Sequence, residues 1–493
     1  MSSSAYFLQE MAYPPYCIQP LKSWGMVAVG GGGGTAKTGV GNAVDLKWIY
    51  LCEPSDPKNI KCSIQNVNSF SQHDSVMRMV SLRKQNEYLI LALNRHLKVI
   101  MLTAAQRDLD SGAIIDYAPP PPSPHIVSLL SVPKSIRRRR SSSTIDAGNA
   151  RQRVTSVVQR NIQATVDAVG NETTIAITPA SVTPTSCTTS FILPLNISSL
   201  MTDSNIYTVP IQEQEYVNAL AICPATQSKL FVGASDGSLQ VYEILWPASS
   251  SSDRLLQLNL LTSFPTHSKE IDDLAVDPFG TWLISVSRDH HVQIRQCSSP
   301  FDKHSELDLC QFGTNKSSTP PRPLYRIRHV RFGFDTTSSK TKSFLYTSLV
   351  PLSIVDKLVS YIIQWSENSQ HKFLVRQRRA VSYARISATA VSNCGQYVSV
   401  GDSDGCVRIY DSNGLILLYE HRSHSIFVTD LAFILREENY LYQTSVLSIS
   451  ADKNLYVHNV HLPEKSLFSA SFFLLIGLLF FFLSFSQIRF TFH

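Results

Sequence analysis

Several features that define other protein classes are absent from this sequence of 493 residues. None of its nine cysteines belongs to a C-x-x-C pair, and they are scattered and odd in number. The sequence therefore predicts neither a disulfide framework nor a zinc site, and we expect reduced thiols in a reducing compartment. Charged residues make up only 17% of the chain. The N-terminal segment lacks the basic start and apolar stretch of a signal peptide, so we expect no cleaved leader.

A general excess of positive charge is also absent, although the formal net charge is +6. Between Lys134 and Arg160 there are eight basic residues and one acid, Asp146, so this window accounts for the whole excess. The basic run carries no aromatic residues and no recognition helix is predicted beside it. The sequence therefore disfavours nucleic-acid binding.

One long hydrophobic run stands near the C-terminus. Residues 467–486, LFSASFFLLIGLLFFFLSFS, contain no charge. As a helix, twenty residues would cross a hydrocarbon layer of about 30 Å. We therefore predict a single transmembrane helix over 467–486 with a short lumenal tail, 487–493, and the bulk of the chain facing the cytosol.

Residues 104–205 differ in composition from the rest of the chain. They contain APPPPSP, the arginine run and long stretches of serine, threonine and valine. This composition favours a mostly disordered insert that has no core of its own. We place it between two ordered segments, residues 1–103 and 206–462.

Outside the insert, the sequence repeats one pattern of two alternating strands joined by a turn that contains aspartate. Four turns carry Asp236, Asp289, Asp404 and Asp452, at intervals of 53, 115 and 48 residues. The long interval contains a further repeat, LYRIRHVRFGF to LVSYIIQW, and two more strand pairs lie before the insert. A period near 50 over seven units predicts an all-β, seven-bladed propeller of the WD type, with two blades in 1–103 and five in 206–462.

Two histidines fit the same repeat. His267 precedes Asp289 by 22 residues, and His424 precedes Asp452 by 28. In WD repeats, such a histidine links the turn aspartate to a serine or threonine inside the blade. We expect Ser285 or Ser287 in one blade, and Ser448 or Ser450 in the other, to complete a structural hydrogen-bond chain.

Three motifs resemble catalytic or nucleotide-binding sites. G-x-S-x-G occurs at 233–237 and 401–405, but a strand pattern follows each copy, whereas a hydrolase nucleophile requires a helix there. GGGGTAKTGV, from residue 31, differs by one residue from a phosphate-binding loop. Helix-disfavouring glycines follow its Lys and Thr, so we predict neither a hydrolase nor a nucleotide site.

The glycine loop is longer than a hairpin needs. Residues 31–42 contain six glycines, whereas a hairpin turn takes two to five residues. Glycine permits close approach of the backbone to another surface or ion. An excursion of this size on a rigid propeller predicts a functional loop.

VAVGGGGGTAKTGVGNAV, residues 27–44, resembles the loop of the prolactin regulatory element-binding protein family. These are endoplasmic-reticulum guanine-nucleotide exchange factors for the Sar-type GTPase of the COPII vesicle coat. HSKEIDDLAVDPFGTWLISVSRD, SSTPPRPLYRIRHVRFG and HSIFVTDLAF are similar as well. So is the layout of a cytosolic propeller with one C-terminal span. The additional Gly30, the long insert and the short tail depart from the family.

The resemblance implies an exchange factor at the endoplasmic-reticulum membrane that carries out no covalent chemistry and requires no cofactor. Its GTPase-contacting loop would consist of Gly31, Gly32, Gly33, Gly34, Thr35, Ala36, Lys37, Thr38, Gly39, Val40, Gly41 and Asn42. Some members bind a potassium ion in this loop, for which the resemblance implies Gly31, Gly32 and Asn42 as ligands. The alternative is a tail-anchored WD scaffold without exchange activity.

Overall fold

The computed structural model is an all-β propeller of seven four-stranded antiparallel sheets, which confirms the predicted blade count. The described residues are 4–21, 26–34, 39–52, 61–84, 87–102, 104–107, 114–117, 204–247, 255–315, 322–335, 342–353, 357–434 and 443–461. They all belong to one unit, formed by residues 1–119 and 195–493. Residues 120–194 form a second unit, none of which is described.

The strands follow the chain blade by blade, beginning after β1 (Ser4–Glu10). Blade one contains β2 (Pro15–Pro20), β3 (Met26–Gly31), β4 (Asn42–Cys52) and β5 (Lys61–Gln72). Blade two contains β6 (Val76–Arg83), β7 (Glu87–Leu93) and β8 (His96–Leu102). A separate hairpin, β9 (Ala104–Arg107) and β10 (Ile114–Tyr117), precedes the last strand of blade two, β11 (Ser204–Thr208).

Blade three contains β12 (Val217–Ile222), β13 (Lys229–Ala234), β14 (Ser238–Leu245) and β15 (Gln257–Pro265). Blade four contains β16 (Ile271–Val276), β17 (Trp282–Ser287), β18 (Val292–Gln296) and β19 (Lys303–Glu306). A 3₁₀ turn (Cys310–Phe312) and the short pair β20 (Thr314–Asn315) and β21 (Arg322–Pro323) follow.

Blade five contains β22 (Tyr325–Asp335), β23 (Lys342–Pro351), β24 (Ser360–Glu367) and β25 (Phe373–Ser382). Blade six contains β26 (Ile386–Val391), β27 (Tyr397–Asp402), β28 (Cys406–Asp411) and β29 (Ile416–Arg422). Blade seven contains β30 (Val428–Phe433), β31 (Gln443–Ser450) and β32 (Asn454–His461).

The first strand of the chain closes the ring. β1 pairs antiparallel with β32, in a register that runs from Ser4 opposite Asn459 to Glu10 opposite Asn454. This pairing covers the edge that β32 would otherwise expose and joins the two ends of the propeller. The predicted assignment of the whole segment 1–103 to blades one and two is thereby corrected, because β1 belongs to blade seven.

The boundary after the insert is corrected as well. β11 pairs with β8 and completes blade two, so blade three begins with β12 at Val217 and not at residue 206. The insert therefore lies inside blade two, between its third and fourth strands. Residues 108–113 and 118–203 of the predicted disordered insert lie outside the described residues.

The inner strands of blade four are buried on both faces. All six residues of β16 and all six of β17 are buried. Apolar clusters join neighbouring blades, as where Leu230 and Val232 of blade three share a core with Ile90 of blade two. The first strands of the seven blades surround a central cavity of about 400 Å³.

Antiparallel order fixes which connections share a face of the propeller. Within a blade, the second and third strands connect at the same end at which the chain passes from one blade to the next. We call this side the loop face. The connection between β3 and β4, and the turns that hold His267 and His424, therefore lie on it.

The predicted transmembrane helix at 467–486 and the tail at 487–493 lie outside the described residues. Among the residues that the structure describes, no helix is long and apolar enough to cross a membrane.

Candidate functional site: the glycine-rich loop of blade one

The glycine-rich loop connects two strands of blade one. β3 is buried along its whole length, and its last residue, Gly31, pairs with Ala43 of β4. The chain leaves the sheet at Gly32 and returns to it at Asn42. Because β4 begins directly after the loop, no helix is present there to direct amides at a phosphate group.

A reciprocal pair of hydrogen bonds fixes the base of the loop. The Gly34 N–H donates to Asn42 Oδ1 at 2.9 Å, and Asn42 Nδ2 donates to the Gly34 carbonyl at 3.1 Å. The Gly32 N–H donates to the Pro14 carbonyl at 3.1 Å. These bonds attach the loop both to its own strand and to the segment that enters blade one.

Close contacts explain why glycine is needed at the start of the loop. Gly32 has φ +137°, and a Cβ atom there would lie 2.2 Å from Asn42 Oδ1. A Cβ atom on Gly31 would lie 2.1 Å from the Pro14 carbonyl oxygen. Any side chain at these two positions would displace the base of the loop.

The return segment of the loop contains two exposed glycines. Gly39 and Gly41 are exposed, and a Cβ atom at either position would have no neighbour within 4 Å. Gly33 is half-buried, and Val40 packs at the border of an apolar cluster formed by blades one and seven. The predicted contact residues Thr35, Ala36, Lys37 and Thr38 lie outside the described residues. The loop thus has a buried base and an exposed return segment.

The connection into blade two faces the base of the loop. Ideal Cβ positions on Gly34 lie 3.8 Å from Ser75 Oγ and 3.9 Å from Asp74 Oδ1. The Asp74 carboxylate is buried and accepts the Ser75 N–H at 2.7 Å. Sequence reasoning missed Pro14, Asp74 and Ser75, because they meet the loop from the two inter-blade connections on either side of blade one.

Oxygen atoms of three residues lie at or beside the loop base. Asn42 Oδ1 and the Gly34 carbonyl each accept a hydrogen bond there, and Asp74 Oδ1 lies 3.9 Å from the ideal Cβ of Gly34. In the described part of the chain, no group of three or more His, Cys, Asp or Glu residues is placed to hold a metal ion.

Two predicted structural histidines lie in hydrogen-bond chains on the loop face. His267 Nδ1 lies 3.0 Å from Asp289 Oδ2, and its Nε2 lies 2.8 Å from Ser285 Oγ. Burial raises the pKa of Asp289, but hydrogen bonds from His267, the His291 N–H and the Ser268 N–H outweigh this effect and hold it well below the usual range. Ser287 instead donates to the Lys269 carbonyl at 2.9 Å.

The hydrogen-bond chain of blade seven contains two histidines, His424 and His458. His424 Nδ1 lies 3.2 Å from Asp452 Oδ1, and His424 Nε2 lies 2.8 Å from Ser448 Oγ. Ser448 Oγ also lies 2.8 Å from His458 Nε2. Burial lowers the pKa of both histidines, that of His458 to about 3. These fully enclosed rings serve the structure of the blade.

The other two predicted turn aspartates have different surroundings. Asp236 is exposed and accepts the Ser238 N–H at 2.8 Å within its own turn. Asp404 is exposed, and its N–H donates to Asp402 Oδ1 at 3.0 Å. Asp402 is the buried carboxylate of this turn, paired with Arg408 Nη1 at 2.6 Å. Both G-x-S-x-G segments lie in these turns, and each leads into a strand.

Comparison with known proteins agrees with this architecture. A family model of the WD domain, G-beta repeat, matches residues 258–295 and 380–411. Among solved structures, Sqt1 of Saccharomyces cerevisiae is 10% identical, with a TM-score of 0.47 over 94% of this chain and 100% of that chain. At this TM-score the likeness carries no functional information.

Two curated relatives are named guanine nucleotide-exchange factor SEC12. The Rattus norvegicus protein is 26% identical over 270 residues, which cover 53% of this chain and 57% of the relative. The Mus musculus protein is 26% identical over 236 residues, which cover 46% and 51%. The chain thus spans about half the length of the curated relatives it matches. These matches confirm the resemblance indicated by the sequence: the chain is similar to the WD-repeat guanine nucleotide-exchange factors of the SEC12 type.

Proposed function

We propose that this protein is a guanine-nucleotide exchange factor for a Sar-type small GTPase and acts through the glycine loop of blade one. The observation that carries the proposal is the construction of the loop. Its base is fixed by Gly34, Asn42 and Pro14, and its return segment is exposed on the loop face. The similarity to SEC12 exchange factors supports the same assignment.

Exchange by such a loop requires no covalent chemistry. An exchange factor binds the nucleotide-free GTPase more tightly than the GDP-bound form and thereby shifts the GTPase toward nucleotide release. A loop on a rigid propeller presents its contact atoms without a large ordering cost, because its base is already fixed. GTP then rebinds and displaces the exchange factor.

The family resemblance implies a potassium ion at the loop base. Asn42 Oδ1 and the backbone carbonyls of Gly31 and Gly32 would hold it, and Asp74 would add a nearby negative charge. The ion would supply only order to the loop. The exchange step itself would be carried out by residues 31–42.

Membrane attachment belongs to the same proposal. The uncharged run at 467–486 would anchor the propeller to the endoplasmic-reticulum membrane, with the loop face in the cytosol. Activation of the GTPase would then take place beside the membrane on which the COPII coat forms.

The test is GDP release from a purified Sar-type GTPase in the presence of the full chain in detergent. In the loop variant, Asn-Gly replaces residues 33–41, a two-residue turn that suits a hairpin. A matched control removes residues 249–253 from the connection between β14 and β15, on the opposite face. We expect the wild type and the control to accelerate release and the loop variant to have lost the effect.

Two outcomes contradict the proposal. A folded wild-type chain that leaves GDP release unchanged would favour the scaffold alternative. If the loop variant is as active as the wild type, another surface of the protein carries the exchange activity.

A further inference from the structure

The glycine loop alone is small for a protein interface. A specific interface uses about 20–30 residues on each side, whereas the loop has twelve, residues 31–42. A GTPase bound to the loop must therefore also contact neighbouring blades. The surfaces beside blade one on the loop face belong to blade two on one side and to blade seven on the other.

Hydrogen bonds connect the loop to blade seven and beyond it to blade six. The Gly32 N–H donates to the Pro14 carbonyl, and the nearby Met11 N–H donates to the Lys453 carbonyl at 2.7 Å. In blade seven, Asp452 Oδ2 accepts the Ser425 N–H at 3.0 Å.

The same series continues around the face. The His424 N–H donates to the Gly405 carbonyl at 3.2 Å, and the Ser403 N–H donates to the Arg385 carbonyl at 2.9 Å. We call this continuous surface the rim arc. It consists of residues 383–385, 403–405, 423–427, 451–453 and 11–15, and it ends at the glycine loop.

Three large apolar side chains are exposed on the rim arc. Tyr383 is 72% exposed, Phe427 44% and Ile426 40%. Most other exposed apolar residues in the described part of the chain lie on strands at the outer edges of blades, as Leu260 and Leu261 do on β15. Aromatic and apolar residues of this kind are the usual anchors of protein interfaces.

On the side toward blade two, the residues next to the loop are polar, in contrast to the apolar side chains of the rim arc. The residues that approach the loop there are Asp74 and Ser75, which are polar. In a small GTPase, the γ-phosphate and Mg²⁺ order the switch segments, which are released on hydrolysis and therefore lack the γ-phosphate contacts in the GDP-bound and nucleotide-free forms. An apolar surface next to the loop suits segments that have been released in this way.

We propose that the rim arc is the second half of the GTPase docking surface, with Tyr383, Ile426 and Phe427 as its apolar anchors. This proposal rests on the proposed exchange function and extends it from blade one to blades six and seven. The loop would act on the nucleotide site, and the rim arc would supply affinity for the nucleotide-free GTPase.

The test uses the full chain with Tyr383→Ser, Ile426→Ser and Phe427→Ser combined. The matched control carries Leu260→Ser and Leu261→Ser, which remove apolar side chains of similar exposure from β15. GDP release is measured over a range of exchange-factor concentrations. We expect the rim-arc variant to need a concentration higher by about tenfold or more for half-maximal effect, with a similar rate at saturation.

If the three side chains only stabilised the fold, their loss would not raise the half-maximal concentration while leaving the rate at saturation unchanged. A second measurement places a photo-crosslinking residue at position 427, or at position 260 as control, in an otherwise unchanged chain. We expect cross-links to the nucleotide-free GTPase from position 427 alone.

The outcomes separate this proposal from the exchange function. The rim arc is not part of the interface if two results are obtained with an active wild type. The rim-arc variant accelerates GDP release at the same concentration as the wild type, and the chain with the photo-crosslinking residue at position 427 forms no cross-links to the GTPase. If the wild type has no effect on release, the exchange function fails and the rim-arc proposal fails with it.

Discussion

At the scale of the residue, Gly32 shows how the loop depends on the absence of a side chain. Its φ of +137° and the 2.2 Å approach of an ideal Cβ to Asn42 Oδ1 leave no room for alanine. Gly32→Ala should disrupt the bonds between Asn42 and Gly34 and cost about 1–3 kcal/mol of unfolding free energy. Denaturant unfolding measures this cost.

Gly41→Ala is the matched control for Gly32→Ala. Gly41 has an ordinary φ, and its Cβ would meet no atom within 4 Å. We expect its unfolding free energy to stay within about 0.5 kcal/mol of the wild type. Equal losses in the two variants would contradict the account of the loop base.

His458 should make stability depend on pH above the range in which carboxylates titrate. Burial lowers the pKa of His458 to about 3, from 6.5. Below about pH 6.5 the unfolded chain binds a proton that the folded chain does not, so stability falls as the pH drops. This histidine alone should remove about 3 kcal/mol between about pH 6.5 and pH 4.

The measurement is denaturant unfolding at several pH values for the wild type and His458→Asn. We expect the variant to be less stable at neutral pH, because Ser448 and Tyr419 lose a partner, but less sensitive to acid. The exposed His73→Gln serves as control and should keep the wild-type slope. An unchanged slope in His458→Asn would refute the prediction.

At the scale of the element, an ion pair between a buried carboxylate and a half-buried guanidinium joins the inner strands of blades four and five. Asp273 of β16 pairs with Arg331 Nη1 of β22 and accepts the Val330 N–H at 3.1 Å. Burial raises the pKa of Asp273, but the charge of Arg331 and the hydrogen bond from His329 hold it well below its usual range. The pair therefore supports the contact between these two strands around the cavity.

A double-mutant cycle with Asp273→Ala and Arg331→Met measures this support. We expect Asp273→Ala to cost about 3 kcal/mol, because it leaves a buried N–H and a guanidinium without their acceptor. The coupling energy of the two changes should be about 1–3 kcal/mol. Half-buried Arg95 and exposed Glu213, 4.0 Å apart, should couple by less than about 0.5 kcal/mol. A coupling as weak as that of Arg95 and Glu213 would contradict the role of Asp273.

Much of the fold at this scale was predictable because the repeat is local. Each strand pair carries its own alternation and turn, so all seven blades were recognisable without knowledge of their contacts. The closure by β1 was missed, since its partner β32 lies at the other end of the described chain and only the ring brings them together. Likewise β11 was missed because the insert separates it from β8.

The site was predictable only in part, for a related reason. The density of glycines at 31–41 marks the loop, and the spacing of His267 and Asp289 marks a turn. Pro14 and Asp74 were missed because a backbone carbonyl and a single carboxylate on another connection leave no pattern in sequence. The spacing of the repeats singled out Asp404, whereas the buried carboxylate beside it is Asp402, two residues earlier, and spacing alone does not indicate which of two neighbouring aspartates is buried.

At the scale of the whole molecule, the propeller places the glycine loop and the rim arc together on the loop face. The ring of seven blades, closed by β1, holds the loop of blade one beside blades seven and six. A rigid platform of this kind suits a protein that acts by differential affinity, because its binding surface does not need to be ordered anew in each cycle.

The most direct test of the exchange function is a count of turnovers. A Sar-type GTPase loaded with fluorescent GDP is mixed with excess GTP and a substoichiometric amount of the full chain. The account predicts that each copy of the chain releases GDP from many GTPase molecules, and that the loop variant releases none above background. A folded chain that binds the GTPase but leaves the rate of GDP release unchanged would contradict it and would identify a scaffold instead.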